Sequence, residues 1–317
     1  MKKKFWLSLV LAGFLTGCAA GDTIYTDVRP METVVIEDEA VALADSPAPE
    51  TALLTANAPG IAVKQNADAV IDYSNATDGY VMVRYTAETD KRLKAQVKGP
   101  AVTYTYNLKA GEWAVFPFAE GDGDYTVTVY INAVDSKYAA VISGKIAVTL
   151  KSEFLPFLYP NQYVDYASAP ETVKKAAELT DGMEHTLDKV GAVYDFVTET
   201  LTYDKEKAAS VKSGYLPVLD AVLAEKKGIC FDYAALMAGM LRSQNVPCKL
   251  VVGYAGKTYH AWISVWSEEE GWIDGVIRFD GTSWQRMDPT FASSANRSQA
   301  IMDYIGDGTN YTAKYLY

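Results

Sequence analysis

This chain has few of the side chains on which metal and nucleotide chemistry depends. Its 317 residues include only two histidines and three cysteines. No CxxC pair and no His/Cys group with zinc-site spacing is present, and no glycine-rich loop of the phosphate-binding type occurs. The sequence also shows no calcium-loop pattern. We therefore expect no cofactor and no metal.

Basic residues are scarce as well. The formal net charge is −11 at pH 7, from 29 Lys and Arg against 40 Asp and Glu. Nucleic-acid binding requires a basic face, so this composition excludes a nucleic-acid partner. After the N-terminal segment, no apolar run is long enough to predict a membrane-spanning helix.

The N-terminus has the pattern of a processing signal. Three lysines at positions 2–4 precede an apolar stretch over residues 5–14, and Leu-Thr-Gly-Cys follows at 15–18. This arrangement resembles the bacterial lipobox, which implies removal of residues 1–17 and lipidation of Cys18. Acyl chains on Cys18 would anchor the protein to a bacterial cell membrane, facing the extracytoplasmic side. The alternative is an ordinary signal peptide with an incidental cysteine.

Residues 18–59 form an acidic segment with few large apolar side chains. Such a segment cannot bury enough apolar surface to order itself, so it predicts a disordered tether. The alternative is that Val34-Val35-Ile36 provides a first strand for the next domain.

Residues 60–151 alternate apolar and polar positions with a period of two, which is typical of strands. Clusters of Gly, Asp and Asn separate short runs of this kind. We predict an immunoglobulin-like β-sandwich, with strands at 69–73, 79–85, 93–97, 102–106, 113–117, 125–130 and 146–150.

Residues 152–317 change to helical periodicity. A Ser168/Glu171 capping box predicts the first helix, to about residue 179. Further helices are predicted at 186–200, 215–226 and 230–243, with Gly228 ending the third of the four. Strands at 249–254, 259–266, 276–279 and 284–287 follow. Helices followed by antiparallel strands indicate an α+β domain.

Cys230 begins the predicted central helix, and the positive end of a helix stabilises a thiolate. The main-chain N–H groups there can bind an oxyanion. His260 lies near the start of a strand and can transfer a proton, and Asp288 can orient the imidazole. These three residues are the candidate catalytic group. Asp274 and Asp280 compete with Asp288 for the orienting role.

Two other interpretations of the cysteines remain. Taken alone, Cys230 is more often a buried structural residue than a nucleophile. A disulfide between Cys230 and Cys248 is the second alternative, because the expected compartment permits one. We expect Cys248 to be a small buried residue instead, and His185 to lie on the surface.

Several short blocks between residues 203 and 290 resemble the transglutaminase-like superfamily, within the papain-like group of cysteine enzymes. They include Gly-Ile-Cys-Phe-Asp-Tyr-Ala-Ala-Leu at 228–236, His-Ala-Trp at 260–262 and Trp-Gln-Arg-Met-Asp-Pro-Thr at 284–290. The resemblance implies a papain-like domain with Cys230 as nucleophile, His260 as base and Asp288 as the orienting group. Tyr203 is a candidate second oxyanion donor.

The sequence thus predicts a lipid-anchored cell-surface cysteine enzyme that acts on amide bonds through a thioester. Its reaction would be peptide or isopeptide hydrolysis, or transamidation, with surface proteins or wall peptides as substrates. The alternative is a non-catalytic surface binding or scaffold protein that keeps the same fold. Neither the substrate nor the choice between water and an amine follows from the sequence.

Overall fold

A computed structural model describes residues 24–25, 53–268, 271–274, 277–279, 284–286 and 311–317. Within these ranges, no helix is both long enough and apolar enough to cross a membrane. The predicted signal peptide and the predicted lipidation site Cys18 lie outside the described residues. Most of the predicted tether does too. Its last residues, 53–59, contact the folded part, since the Asn57 main chain bonds to Tyr80 and Asn75.

In the described part of the N-terminal half, nine strands build two sheets. One sheet has the order β1-β9-β8-β5-β6 and the other β2-β3-β4-β7; neighbours are antiparallel, except that β1 is parallel to β9. The strands are β1 Ile24–Tyr25, β2 Val63–Gln65, β3 Ala69–Asp72, β4 Tyr80–Tyr85, β5 Leu93–Lys98, β6 Thr103–Leu108, β7 Trp113–Pro117, β8 Gly123–Val134 and β9 Lys137–Val148.

The two sheets share one apolar core. Tyr106 of β6 stacks on Phe116 of β7 with ring centroids 4.2 Å apart, which brings a side chain of each sheet into contact. Side chains alternate between the two sides of a strand, and this alternation decides which residues of β6 enter the core. Tyr104 and Tyr106 are buried, whereas Thr103 and Thr105 are exposed. Each of the seven predicted strands overlaps a strand of these sheets, whereas β1 and β2 were not predicted. The immunoglobulin-like assignment stays a prediction.

Among the residues that the structure describes, five α-helices follow the sheets: α1 Pro170–Leu179, α2 Thr186–Thr200, α3 Lys205–Ser210, α4 Leu219–Glu225 and α5 Cys230–Ser243. Helix α5 is central, since α1, α2 and α4 all pack against it. Every residue from Asp232 to Arg242 is buried. The predicted bounds of α2 and α5 are confirmed, whereas α3 was not predicted.

The predicted capping box at the start of α1 is wrong. The helix begins at Pro170, and Ser168 lies in a preceding 3₁₀ turn. Asp220 of α4 caps α1 instead, because its carboxylate accepts from the main-chain N–H groups of Glu171 and Thr172 at 3.2 and 2.8 Å. A carboxylate from another helix thus satisfies the donors that the sequence pattern assigned to Ser168.

Gly228 does not end the third predicted helix. Helix α4 stops at Glu225, and Lys226 adopts the left-handed conformation with φ 52°. Gly228 belongs to a short strand, β11 Lys227–Gly228, which pairs in parallel with β10 Thr202–Tyr203.

A four-stranded antiparallel sheet completes the C-terminal half. Its order is β14-β13-β12-β17, from β12 Cys248–Ala255, β13 Thr258–Ser267, β14 Gly271–Asp274 and β17 Tyr311–Leu316. Two further strands, β15 Ile277–Phe279 and β16 Trp284–Arg286, pair with each other. Helix α5 packs on β12 and β13. The helices-then-strands order agrees with the predicted α+β domain, whereas β14 and β17 were not predicted.

Arg242 connects three distant segments beneath this sheet. Its side chain is 1% exposed. The guanidinium donates to the main-chain oxygens of Cys248, Tyr159 and Tyr317 at 2.8, 2.9 and 2.6 Å. Burial lowers its pKa to about 10, so it stays charged at neutral pH. A planar guanidinium suits this role, because its donors point in several fixed directions at once.

We expect Arg242→Met to destabilise the protein by about 3 kcal/mol, since it leaves buried carbonyl oxygens without their donor. Urea unfolding followed by circular dichroism measures this loss. Arg92→Met is the matched control, because Arg92 is exposed, and it should change the free energy of unfolding by less than ~0.5 kcal/mol. Equal effects of the two substitutions would contradict this role of Arg242.

Candidate active site

Cys230 is the first residue of α5 and the point where that helix meets the surface. Its side chain is half-buried and its thiol is free. The helix is fully buried from Asp232 to Arg242, so Cys230 stands where the helix leaves the core. This placement is the one expected of a thiolate nucleophile.

A buried carboxylate holds the turn that precedes Cys230. Asp232 is 0% exposed and accepts from the main-chain N–H of Ile229 at 2.9 Å. It also accepts from the phenol of Tyr215 at 2.6 Å and from Nζ of Lys207 at 2.8 Å. Three donors from three segments therefore fix the carboxylate, and through it the backbone on which Cys230 stands.

The charges in this cluster are set by its contacts. Burial raises the pKa of Tyr215 to about 12, and its hydrogen bond to Asp232 acts in the same direction. Burial lowers the pKa of Lys207, but the hydrogen bonds to Asp232 and Tyr215 outweigh this and raise it above its usual value. At neutral pH the phenol is therefore neutral and the ammonium charged, so Lys207 balances the buried carboxylate.

Gly228, two residues before Cys230, has no room for a side chain because Asp232 packs against its backbone. A Cβ on Gly228 would lie 2.6 Å from Cβ of Asp232, which is shorter than any normal contact. Gly228 also pairs with Tyr203, and its carbonyl accepts from the N–H of Asp204 at 2.8 Å. The structure thus places the candidate oxyanion donor Tyr203 beside the strand that leads into Cys230.

His260 lies on the strand against which α5 packs. It pairs with Gly253 across β12 and β13 and is 6% exposed. Its ring is stacked near that of Trp262, with centroids 6.4 Å apart, so both side chains lie on one side of β13. The structure therefore packs the helix that begins at Cys230 against the strand that carries His260. Their catalytic roles stay predictions.

The three candidate orienting carboxylates differ in what the structure describes. Asp288 and Asp280 lie outside the described residues. Asp274 pairs with Ser264 and accepts from its hydroxyl at 2.9 Å. Ser264 is four residues from His260, about 13 Å along a strand. This distance argues against Asp274 as the partner of His260, so Asp288 stays the predicted orienting group.

Cys248 is separate from the site. It is fully buried and free, so the structure shows no disulfide between Cys230 and Cys248. Burial raises the pKa of its thiol to about 12, which keeps it protonated. The prediction of a small buried residue is confirmed. His185 is exposed at the start of α2, as expected.

The sequence pointed to Cys230 but not to the side chains of Asp232, Tyr215 and Lys207 that hold the turn before it. Lys207 and Tyr215 are far from Asp232 in sequence and meet it only in the fold. A signal for Asp232 was present, because an acidic residue at the third position of a helix commonly accepts from the N–H before the helix. Over the described ranges, no group of His, Cys, Asp and Glu side chains is arranged to hold a metal ion.

A known family matches the part of the chain that carries the candidate site. Residues 173–289 match the family described as the transglutaminase-like superfamily. That segment begins in α1 and includes α5 with Cys230, β13 with His260, and Asp288. The chain contains a transglutaminase-like domain.

Curated relatives match this domain over part of their length. The chain is 28% identical over 172 residues to the uncharacterized protein YebA of Bacillus subtilis, covering 48% of this chain and 22% of that protein. It is 26% identical over 133 residues to a protein-glutamine gamma-glutamyltransferase of Pseudomonas aeruginosa, covering 37% of this chain and 18% of that protein. The matches thus span about a fifth of these relatives.

Solved structures resemble the chain more distantly. A candidate cysteine protease from Cytophaga hutchinsonii matches with a TM-score of 0.38 and 15% identity, over 81% of this chain and 74% of that one. The periplasmic domain of TgpA from Pseudomonas aeruginosa matches with a TM-score of 0.34 and 16% identity, over 74% of this chain and 77% of that one.

We expect one of the two thiols in the described transglutaminase-like domain to be reactive. At pH 7 to 9, iodoacetamide should label Cys230 and leave Cys248 unmodified until the protein is unfolded, because Cys248 is buried and its pKa is about 12. Peptide mapping by mass spectrometry assigns the label to each residue.

The Cys248→Ser variant is the control and should keep the labelling of Cys230. Similar labelling rates at both positions would contradict this arrangement of the site. So would a disulfide-linked pair of peptides in a non-reduced digest.

Proposed function

We propose that this protein is a lipid-anchored cysteine enzyme that acts on amide bonds through a thioester. One observation carries the proposal: the half-buried thiol of Cys230 stands at the N-terminus of the buried helix of a transglutaminase-like domain. A half-buried thiol can be reached by a substrate, and the main-chain N–H groups at a helix N-terminus can bind the oxyanion that forms during attack. A purely structural cysteine requires neither property, and Cys248 in the same domain has neither.

In the first half-reaction, the thiolate of Cys230 attacks the carbonyl carbon of the amide. The C–N bond breaks, the leaving amine takes a proton from His260, and a thioester on Cys230 remains. Asp288 holds the imidazole in the required orientation. The main-chain N–H at the start of α5 stabilises the negative charge on the substrate oxygen, with Tyr203 as the proposed second donor.

In the second half-reaction, an amine or water attacks the thioester carbonyl. The attacking group gives its proton to His260, the C–S bond breaks and the thiolate is restored. Access of an amine and exclusion of water decide between transamidation and hydrolysis. The Pseudomonas aeruginosa relative is named a protein-glutamine gamma-glutamyltransferase. We therefore propose glutamine side chains of surface proteins as the first acyl donors to test, with wall peptides as the second.

We also propose that lipid on Cys18 holds the enzyme at the extracytoplasmic side of the bacterial cell membrane. The N-terminal charge and apolar pattern, followed by Leu-Thr-Gly-Cys at 15–18, supports this anchoring. The acidic segment after Cys18 would act as a tether. The two N-terminal sheets, which we propose to be immunoglobulin-like, would act as a spacer between membrane and catalytic domain.

We expect Cys230→Ala and His260→Ala each to lower activity by about a thousandfold or more, and Asp288→Asn by about a hundredfold or more. The assay is incorporation of dansylcadaverine into a glutamine protein, with ammonia release measured in parallel. His185→Ala and Asp274→Asn are matched controls, since neither residue belongs to the proposed site, and both should retain activity.

Amine incorporation with ammonia release indicates transamidation, and ammonia release alone indicates hydrolysis. If purified protein with a reactive Cys230 showed neither activity on glutamine proteins nor cleavage of wall peptides, the enzyme proposal would fail. The non-catalytic scaffold interpretation would then take its place.

The anchor is tested separately. Cys18→Ser should move the protein from the membrane fraction to the soluble fraction, because it removes the only proposed site of lipidation. Cell fractionation with immunoblotting measures the shift, and metabolic labelling with an alkyne fatty acid should label the unmodified chain and not the variant. Unchanged membrane association of Cys18→Ser would reject the lipid anchor.

A further inference from the structure

Strand β6 of the N-terminal half contacts the C-terminal half along its outer edge. It is the last strand of its sheet, so in the described part of the chain this edge pairs with no other strand. Gln162 lies there, and its Nε2 donates to the main-chain oxygen of Asn107 at 2.8 Å. The side chain of Asn107 reaches Gly214, in the loop between α3 and α4. A Cβ on Gly214 would lie 2.0 Å from Nδ2 of Asn107, so the amide packs directly against the loop backbone.

The loop that β6 contacts leads directly to the cluster that holds the nucleophile turn. Tyr215 follows Gly214 in the chain, and its phenol donates to Asp232 at 2.6 Å. Asp232 in turn accepts from the main-chain N–H of Ile229, the residue before Cys230, at 2.9 Å. Each step from β6 to Ile229 is therefore a side-chain contact, a peptide bond or a hydrogen bond.

A second series of contacts joins β6 to the residue after the nucleophile. The ring centroid of Tyr106 lies 5.7 Å from that of Tyr163, and Tyr163 lies 5.3 Å from Phe231. Tyr317 holds Tyr163 from a further side, with centroids 4.6 Å apart. Closely packed rings leave little room for displacement. The residues on both sides of Cys230 are thus supported from β6.

We propose that strand β6 positions the nucleophile, so that the N-terminal sheets are required for full activity and serve as more than a spacer. This inference rests on the proposed function and deepens it. Asn107, Tyr215 and Lys207 are then positioning residues, because they act through the carboxylate of Asp232. A buried carboxylate that loses a donor is left uncompensated, and the turn bound to it must shift. A nucleophile displaced by about 1 Å can react about a hundredfold more slowly.

Two glycines of similar conformation test the contact with β6. Gly214 has φ 87° and Gly182 has φ 71°, but the described residues leave the space for a Cβ at Gly182 open. Gly182→Ala is therefore the matched control, since it carries the same backbone strain without displacing a neighbour. Gly214→Ala should speed amide hydrogen exchange over residues 227–231 about fivefold, whereas Gly182→Ala should leave it unchanged.

Asn107→Ala removes the same contact from the other side. It should speed exchange over residues 227–231 as well, and adding it to Gly214→Ala should cause no further change, because both substitutions break one interaction. Mass spectrometry of peptides from the full-length protein measures the exchange.

Lys207→Met tests the cluster itself. It removes the cation that balances the buried carboxylate of Asp232, so exchange over residues 227–231 should rise about tenfold or more. Exchange over residues 234–243, the rest of α5, should change by less than about twofold. Lys109→Met is the control, because it removes an exposed lysine paired with Glu112 and should change neither segment.

Kinetics shows whether the position of the turn matters for the reaction. In the glutamine assay, Gly214→Ala should lower kcat about fivefold and Lys207→Met about tenfold or more. KM should stay within about twofold for both, because the substrate surface is intact while the thiol is misaligned. A residue with a stabilising role alone would leave kcat unchanged below the melting temperature of the variant.

The outcomes distinguish this inference from the proposed function. Faster exchange confined to residues 227–231 together with a lower kcat supports the positioning role of β6. Unchanged exchange there, faster exchange spread over the whole of α5, or an unchanged kcat overturns it. If the unsubstituted protein shows no turnover, the enzyme proposal fails, and the exchange rates still decide whether β6 holds the turn before Cys230.

Discussion

Burial of helix α5 is the constraint on which the rest of the C-terminal half depends. Its residues from Asp232 to Arg242 are inaccessible to water, and the two that end this stretch are charged. Neither charge can be buried without compensation. Asp232 gathers donors from Ile229, Tyr215 and Lys207, and Arg242 gathers main-chain oxygens from three segments. The hydrogen bonds of these two charged side chains thus hold the segments before and after the helix in place. The apolar middle of the helix is enclosed by the neighbouring helices and the sheet.

This arrangement gives the candidate nucleophile its environment. The helix is fully buried from its third residue, Asp232, to Arg242, so the half-buried thiol at its start is presented from a closely packed base. Asp232 holds the preceding turn, and Gly228 permits that carboxylate to approach the backbone. A nucleophile gains from such fixation, because the alignment with its substrate is then largely established before binding. The same helix packs on the strand of His260, and the rings from Phe231 through Tyr163 to the buried Tyr317 extend the packing to the residue after β17.

Local patterns in the sequence predicted the parts of this fold that local forces decide. Helices α2 and α5 were predicted with their correct bounds, because each has an uninterrupted periodic or apolar run. Strand β9 was predicted only at its C-terminal end, residues 146–148, since the small residues Ala139, Ala140, Ser143 and Gly144 carry little strand signal and are paired through the long hairpin with β8. The cap of α1 was assigned to Ser168, while the fold supplies Asp220. Likewise Lys207 and Tyr215 reach Asp232 through tertiary contacts alone, so no pattern around Cys230 could predict them. Cys230, His260 and Asp288 could be proposed from the sequence, because each lies in a short contiguous motif.

Strand β17 and Arg242 show that the folded catalytic domain extends beyond the residues that match the family. The family match covers residues 173–289, but Arg242 inside it takes one hydrogen-bond acceptor from Tyr159 and another from Tyr317. Strand β17 also supplies the second neighbour of β12. The segment that matches the family therefore leaves out one strand of the sheet and two of the hydrogen-bond acceptors of Arg242. A fragment cut at the homology boundaries would keep all three candidate catalytic side chains while exposing an unpaired strand edge and a buried guanidinium with two of its three acceptors missing. Inactivity of such a fragment would report on its integrity and not on its chemistry.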